Sequence, residues 1–293
     1  MTTAPSWELA EGDEIAPERW ALQLLGGGRK YEAYLAYDEE LQSTVVAKLL
    51  RPHVVEDEGA RETMTAEGAA LTSLNHPVLL RCFGVVEGPR PHLVLEHLEG
   101  PRLSTLLRRQ RKLAIEQVVM LGLQLTSALH YMHRREIVHL DVKPKNIIMS
   151  GPPRLIDLSV ARSFDRARRA TEPIGTDAYM APEQCEPRLM GGMGAEADVW
   201  GWGVTMFEAI TGLLPWPKME SSTSREERFP QLHLDPAPLG GDTPPLLAAL
   251  VMGCLEKRPE NRPRQSDIAG ILEPLVAALP RRIVFTRFRP RMR

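Results

Sequence analysis

"IVHLDVKPKNIIM", Ile137 to Met149, places Asp141, Lys143, Lys145 and Asn146 inside an otherwise apolar run. A buried strand carries no such groups, because charge is costly to take out of water without partners. One reading is a polar turn joining two short strands. The other is a loop whose Asp141, Lys143 and Asn146 face a single cleft. The segments on either side decide between them.

Working outward, "AIEQVVMLGLQLTSALHYMHRRE" before this run is helical and apolar on most faces, the pattern of a buried helix. "LSTLLRRQ" ahead of it is a shorter helix. After "PPRLIDL" comes an Arg-rich stretch of low apolar content, Ala161 to Gly175, which the composition predicts as a mobile loop. From Asp198 on, "DVWGWGVTMFEAIT", "PLLAALVMGCLE" and "QSDIAGILEPLVAAL" are helical, separated by a Pro-rich connection from Pro215 to Pro245. Trp20 to Leu98 has a different character. "WALQLL" ends at Gly26–Gly28, "YEAYLAYD" and "TVVAKLL" alternate as strands do, and "LLRCFGVVEGPRPHLVLEHL" is two strands around a Gly-Pro turn. One helix interrupts them, "RETMTAEGAALTSL", with Met64, Ala70, Leu71 and Leu74 at helical spacing and a stop at Asn75–His76–Pro77. The expected architecture is α+β, a small β-rich lobe with one helix followed by a larger helical lobe.

At 293 residues and 43% hydrophobic, the chain can bury one large core or two lobes. A net charge of −2 gives no pull toward nucleic acid or a membrane surface. The charge is uneven, however. Residues 1–17 read as an acidic extension (Glu8, Glu11, Asp13, Glu14), and residues 279–293 as a solvated Arg-rich tail. Cys82, Cys185 and Cys254 are too scattered for a disulfide framework or a metal site, as expected of reduced thiols in a cytoplasm. The N-terminus lacks a signal-peptide pattern, and "PLLAALVMGCL" is too short to span a bilayer. The expectation is a soluble, cytoplasmic chain with no membrane span.

Taken in order, these segments resemble the protein kinases, specifically the eukaryotic-like Ser/Thr kinases of bacteria, over roughly residues 18 to 278. "LGGGRKYEAYLA" is similar to the phosphate-covering loop G-x-G-x-x-G-x-V, with Gly26 and Gly28 as its first two glycines. "VVAKLL" resembles V-A-I-K, which makes Lys48 the lysine of the α- and β-phosphates, and Glu67 matches its helix partner. "LVLEHLEG" resembles the hinge: Leu95 guards the back of the adenine pocket, and backbone groups of Glu96 and Leu98 meet adenine. "HLDVKPKN" lies on H-R-D-x-K-x-x-N, which answers the opening question as a catalytic loop. The resemblance implies that Asp141 orients the attacking hydroxyl, Lys143 neutralises charge on the γ-phosphate, Asn146 holds a second metal and Ile148 floors the adenine site. "LIDLS" stands at D-F-G, so Asp157 is the implied Mg²⁺ ligand. "GTDAYMAPE" matches the family's G-T-x-x-Y-x-A-P-E, with Thr176 near Asp141 and Lys143, Glu183 paired with Arg262, and Asp198 holding the catalytic-loop backbone. The implied lobes are residues 18–97, which bind ATP, and 98–278. ATP with Mg²⁺, or Mn²⁺ as an alternative, is the implied cofactor set, and a protein is the substrate. The resemblance also allows a homodimer through the small lobe.

Several positions depart from the pattern. Tyr31 stands at the third glycine, Ser159 at the glycine of D-F-G, and Leu140 where an Arg that meets an activation-loop phosphate is usual. Ala33 and Val46 exchange the family's Val and Ala, which reads as a compensating size swap over adenine. Leu140 implies weak dependence on activation-loop phosphorylation, although "RRAT" at Arg168–Thr171 is shaped like a modification site. Lys145 argues against a preference for basic substrates. The alternative these departures support is a regulatory pseudokinase. A small-molecule phosphotransferase would share the Asp and Asn layout but not "GTDAYMAPE".

Overall fold

The computed structural model describes residues 4–217 and 225–279. The Arg-rich tail lies, beyond Leu279, outside the described residues. The chain divides into two units. The first runs from the start of the described residues to Asn75 and includes Leu79–Glu99 and Asp157–Ser159; the second holds His76–Val78, Gly100–Ile156 and the chain from Val160.

The first unit is an antiparallel six-stranded sheet, with β1 (Glu14–Ala16), β2 (Arg19–Gly27), β3 (Tyr31–Asp38), β4 (Ser43–Leu50), β5 (Cys82–Val86) and β6 (His92–Glu96) in the order β1-β2-β3-β4-β6-β5. Alternation sorts the strands into two faces, as a period of two requires. Tyr34, Ala36, Val45, Ala47, Leu49 and Val94 make a buried cluster on one side. Lys48, paired with Ala33 on β3 and Leu93 on β6, lies on the other. The helix α1 (Glu58–Ser73) packs against β5 and β6. It starts three residues ahead of the predicted "RETMTAEG" because Asp57 caps it, its side chain accepting the Ala60 N–H.

The acidic extension is a correction. From Ala4 on it belongs to this unit: β1 joins the sheet, and Trp7 and Leu9 pack on the buried cluster. Charge dominates the composition of this stretch, yet its few apolar residues are the ones the sheet face takes up.

The second unit is helical, with α2 (Leu103–Gln110) and α3 (Ile115–His133), then the short strands β7 (Ile137–Val138), β8 (Ile147–Ile148), β9 (Arg154–Leu155) and β10 (Arg162–Ser163). The helices α4 (Phe164–Arg168), α5 (Pro182–Cys185), α6 (Pro187–Met190), α7 (Ala195–Thr211), α8 (Arg225–Arg228), α9 (Pro245–Cys254) and α10 (Gln265–Ala277) follow. Helix α3, apolar on most faces, is enclosed by α7 and α10. The Trp202 indole N–H donates to the Gly122 carbonyl at 3.0 Å, and Trp200 stacks on Trp216. Residues 161–175, expected as a mobile loop, instead begin with β10 paired to β7 and continue into α4. Ser163 caps that helix, and Ala167 is fully buried.

Candidate active site

Within the first unit, β4 carries Lys48 on the face that α1 covers, and the helix brings Glu67 to it. Lys48 Nζ donates to both Glu67 oxygens, at 2.8 and 2.9 Å, and to Asp157 Oδ1 at 3.2 Å. Burial works against the charge on Lys48, but Glu67 and Asp157 outweigh it and hold the ammonium's pKa above its ordinary value. Asp157 adopts a left-handed backbone (φ 68°). Tyr31 lays its ring 4.8 Å from Lys48 Nζ.

On the same sheet face, Ala33 opposes Lys48 and Val46 opposes both Leu35 and Leu95. Ala33 and Val46 are therefore diagonal neighbours facing the same space, as a size swap requires. Leu95 is buried; Glu96 ends β6 with its N–H donated to Arg81 O at 3.0 Å, and half-buried Leu98 lies beyond the strand. Gly26 and Gly28 flank the end of β2, Gly26 with φ 137°.

In the second unit, β7 leads into the loop of Asp141, Lys143 and Asn146. Asp198 on α7, fully buried, accepts the N–H groups of His139 (2.8 Å) and Leu140 (2.7 Å) and a bond from His133 Nε2 (2.7 Å). Burial alone would raise the Asp198 pKa, but His133 and His139 outweigh it and hold the carboxyl below its usual range. The loop it fixes presents Asp141 as a hub. Asp141 Oδ1 accepts the Thr176 hydroxyl at 2.8 Å, and Oδ2 accepts Lys143 Nζ and, at 2.9 Å, Asn146 Nδ2. Asn146 also donates to the Asp141 carbonyl, and Lys143 to Thr176 Oγ1. Half-buried Ile148 sits on β8, paired with Arg154.

Thr176 arrives because Gly175 permits it. Gly175 has φ 122°, and a Cβ there would lie 2.6 Å from the Leu140 carbonyl. Gln184 braces the same approach, donating to the Leu140 and Ile174 carbonyls at 2.8 Å each. The sequence reading assigned Gln184 nothing; a polar residue just after an A-P-E motif carries no local signal of a contact 44 residues away. Glu183 and Arg262 form a buried two-pronged pair at 2.6 and 2.9 Å.

Among the described residues no three His, Cys, Asp or Glu converge as a metal cage. The Asp157 carboxylate in the first unit and the Asn146 amide oxygen in the second are each donors of the kind magnesium takes. Nor is any described helix long and apolar enough to cross a membrane.

Comparison with known proteins gives this geometry a family. The protein kinase domain matches residues 21–270. The serine/threonine-protein kinase PknB of Mycolicibacterium smegmatis is 28% identical over 251 residues, 82% of this chain and 40% of that protein. A probable serine/threonine-protein kinase of Streptomyces coelicolor is 28% identical over 255 residues (83% and 37%), and one of Clostridium perfringens 26% over 258 (86% and 37%). The chain thus spans about two fifths of the length of these curated relatives. The match covers both units, from the strand that leads into Gly26 to the last described helix, and the chain belongs to the protein kinase domain family, with bacterial serine/threonine kinases among its relatives.

Proposed function

We propose that this chain is a serine/threonine protein kinase that transfers the γ-phosphoryl group of ATP to a protein hydroxyl. The observation that carries the reading is the set of hydrogen bonds on Asp141, with Lys143, Asn146 and Thr176 all donating to one carboxylate. Such a carboxylate is fixed in orientation before any substrate arrives.

In this reading a Ser or Thr hydroxyl meets Asp141, which orients it and takes up its proton as the new O–P bond forms and the β,γ-bridging bond breaks. Lys143 offsets charge on the transferred group, and Lys48, held by Glu67, binds the α- and β-phosphates. Gly26 and Gly28 bring backbone N–H groups to the phosphates. Ala33, Val46, Leu95 and Ile148 contact adenine, and Glu96 and Leu98 meet its edge. Asp157 and Asn146 would hold Mg²⁺, or Mn²⁺ in its place, which when bound offsets phosphate charge. The three buried free thiols fit a cytoplasmic setting, and pairing of two small lobes belongs to the same reading.

The test is intact-protein mass after incubation with ATP and Mg²⁺, with a generic protein substrate in the same tube. Phosphate added to the chain or the substrate, and absent from Asp141→Asn, supports the reading. Bound nucleotide without transfer in either would leave a regulatory module instead.

A further inference from the structure

Glu32 sits on β3 at the foot of the glycine-rich turn, fully buried. A carboxylate there needs donors, and three reach it from elsewhere. Arg51 Nη1 lies 3.1 Å from Oε2, the Ser6 hydroxyl donates to Oε2 at 2.8 Å, and the Trp7 N–H donates to Oε1 at 2.9 Å. Two of these donors come from a segment that precedes the residues matched to the family, which begin at 21.

The same guanidinium reaches the turn itself. Arg51 Nε donates to the Gly28 carbonyl at 2.7 Å, and Nη1 donates to the carbonyls of Pro5 (2.9 Å) and Ala4 (3.2 Å). One planar fork thus joins the N-terminal segment, the buried carboxylate and the glycine turn. Trp7 secures the other end, its indole N–H donating to Leu50 O at 2.8 Å while its ring packs on the sheet beside Leu9. The turn also closes on itself through the Gly28 N–H, which donates to Tyr31 O at 2.8 Å, and a Cβ built at Gly27 would lie 2.9 Å from Arg51 Nη2.

We infer that residues 4–9 and Arg51 form a latch that fixes the Gly26–Gly28 turn, with Arg51 a positioning residue for the nucleotide phosphates. The last part rests on the phosphate role proposed above for that turn. The latch needs arginine. A lysine retains one charge for Glu32 but lacks the planar fork that serves Glu32, Gly28 and Pro5 together.

Hydrogen exchange of the full chain without nucleotide tests the latch directly, comparing wild type, Arg51→Lys, Trp7→Ala and a chain lacking residues 2–9. Amides of residues 25–31 should exchange about tenfold faster in each variant, with α3 unchanged. Unchanged exchange at the turn in Arg51→Lys overturns the latch. In parallel, Arg51→Lys should raise the KM for ATP about five- to tenfold with kcat within about twofold. A lowered Tm with KM unchanged would make Arg51 structural only and overturn the positioning role. A wild-type chain that neither binds nor turns over ATP sinks the kinase reading instead, and the exchange comparison still decides the latch.

Discussion

Asp198 holds the backbone of Leu140 in a conformation that a leucine avoids: its carboxylate accepts the Leu140 N–H at 2.7 Å while that residue sits at φ 62°. A left-handed leucine costs on the order of 1–2 kcal/mol and persists only where its surroundings impose it. The Asp198 carboxylate, fixed in the first turn of α7 and shared with His139 and His133, is that imposition. The direction in which Asp141 leaves the loop follows from it.

Asp198→Asn preserves the shape but turns an NH₂ toward one of these donors. The variant should lose about 2–3 kcal/mol of stability. Its kcat should fall about 100-fold, because the hub carboxylate loses its placement. Near-normal kcat in a folded Asp198→Asn protein would show that Leu140 keeps its conformation unaided.

The segment bearing Thr171 is docked by contacts of the polypeptide itself. Arg188 Nε donates to the Thr171 carbonyl at 3.2 Å, α4 buries Ala167, and the Arg168 carbonyl lies where a Cβ on Gly192 (φ 87°) would come within 2.2 Å. Leu140 is buried and offers no charge to a phosphate. Thr171→Ala should therefore keep kcat/KM within about threefold of wild type, whereas Gly192→Ala, which displaces α4, should lose about tenfold or more. A large rise in activity on phosphorylating Thr171, abolished in Thr171→Ala, would reverse this ranking.

These cases show what could be read from the chain and what could not. The polar loop was legible because polar residues in an apolar run need a shared reason, and Lys143 and Asn146 both donate to the Asp141 carboxylate. Elements whose stability comes from distant partners were hidden. Helix α4 is a five-residue Arg-rich segment with almost no periodicity, held by a Ser163 cap, a strand pair and contact with the glycine after α6. The N-terminal segment reads as an acidic extension because its acids outnumber Trp7 and Leu9, and the groups that hold it, Glu32 and Arg51, lie 25 and more residues away.

His92 gives the fold an acid limit. Arg19 can only donate, so His92 Nε2, 2.9 Å from Arg19 Nη1, accepts, and the ring proton sits on Nδ1 facing the Arg90 carbonyl at 2.7 Å. Burial first, then the nearby Arg19 charge, pushes the His92 pKa down from 6.5 to about 4. The unfolded chain thus binds this proton more readily than the folded one. The contribution to stability is complete above pH 6.5 and is lost as pH falls from 6.5 toward 4, about 3 kcal/mol in all. Burial raises the pKa of the adjacent Asp38, but the Leu41 N–H and Arg19 more than offset it and hold the carboxyl below its ordinary value. Urea midpoints measured from pH 7.5 to 4 should fall more steeply in wild type than in His92→Gln. Parallel curves would assign the acid limb to other groups.

Tyr31 departs from the family pattern in a way that stability measurements can read. Its hydroxyl is buried with no hydrogen-bond partner among the described residues, while its ring centre lies 4.8 Å from Lys48 Nζ. Burial, reinforced by the charges of Glu67 and Asp157 and opposed by Lys48, pushes its pKa up to about 12, so the phenol keeps its proton through any neutral-pH assay. The two parts of the side chain then act in opposite directions. An unpartnered hydroxyl costs about 1–3 kcal/mol, whereas a ring facing a desolvated ammonium contributes about 1–2 kcal/mol. Tyr31→Phe removes only the cost and should raise the Tm by about 2–4 °C; Tyr31→Ala removes the ring and should lower it. The expected order of stability is Phe, then Tyr, then Ala at position 31. A Tyr31→Phe protein less stable than wild type would mean that the hydroxyl finds a partner in solution and that the departure from glycine has been put to use.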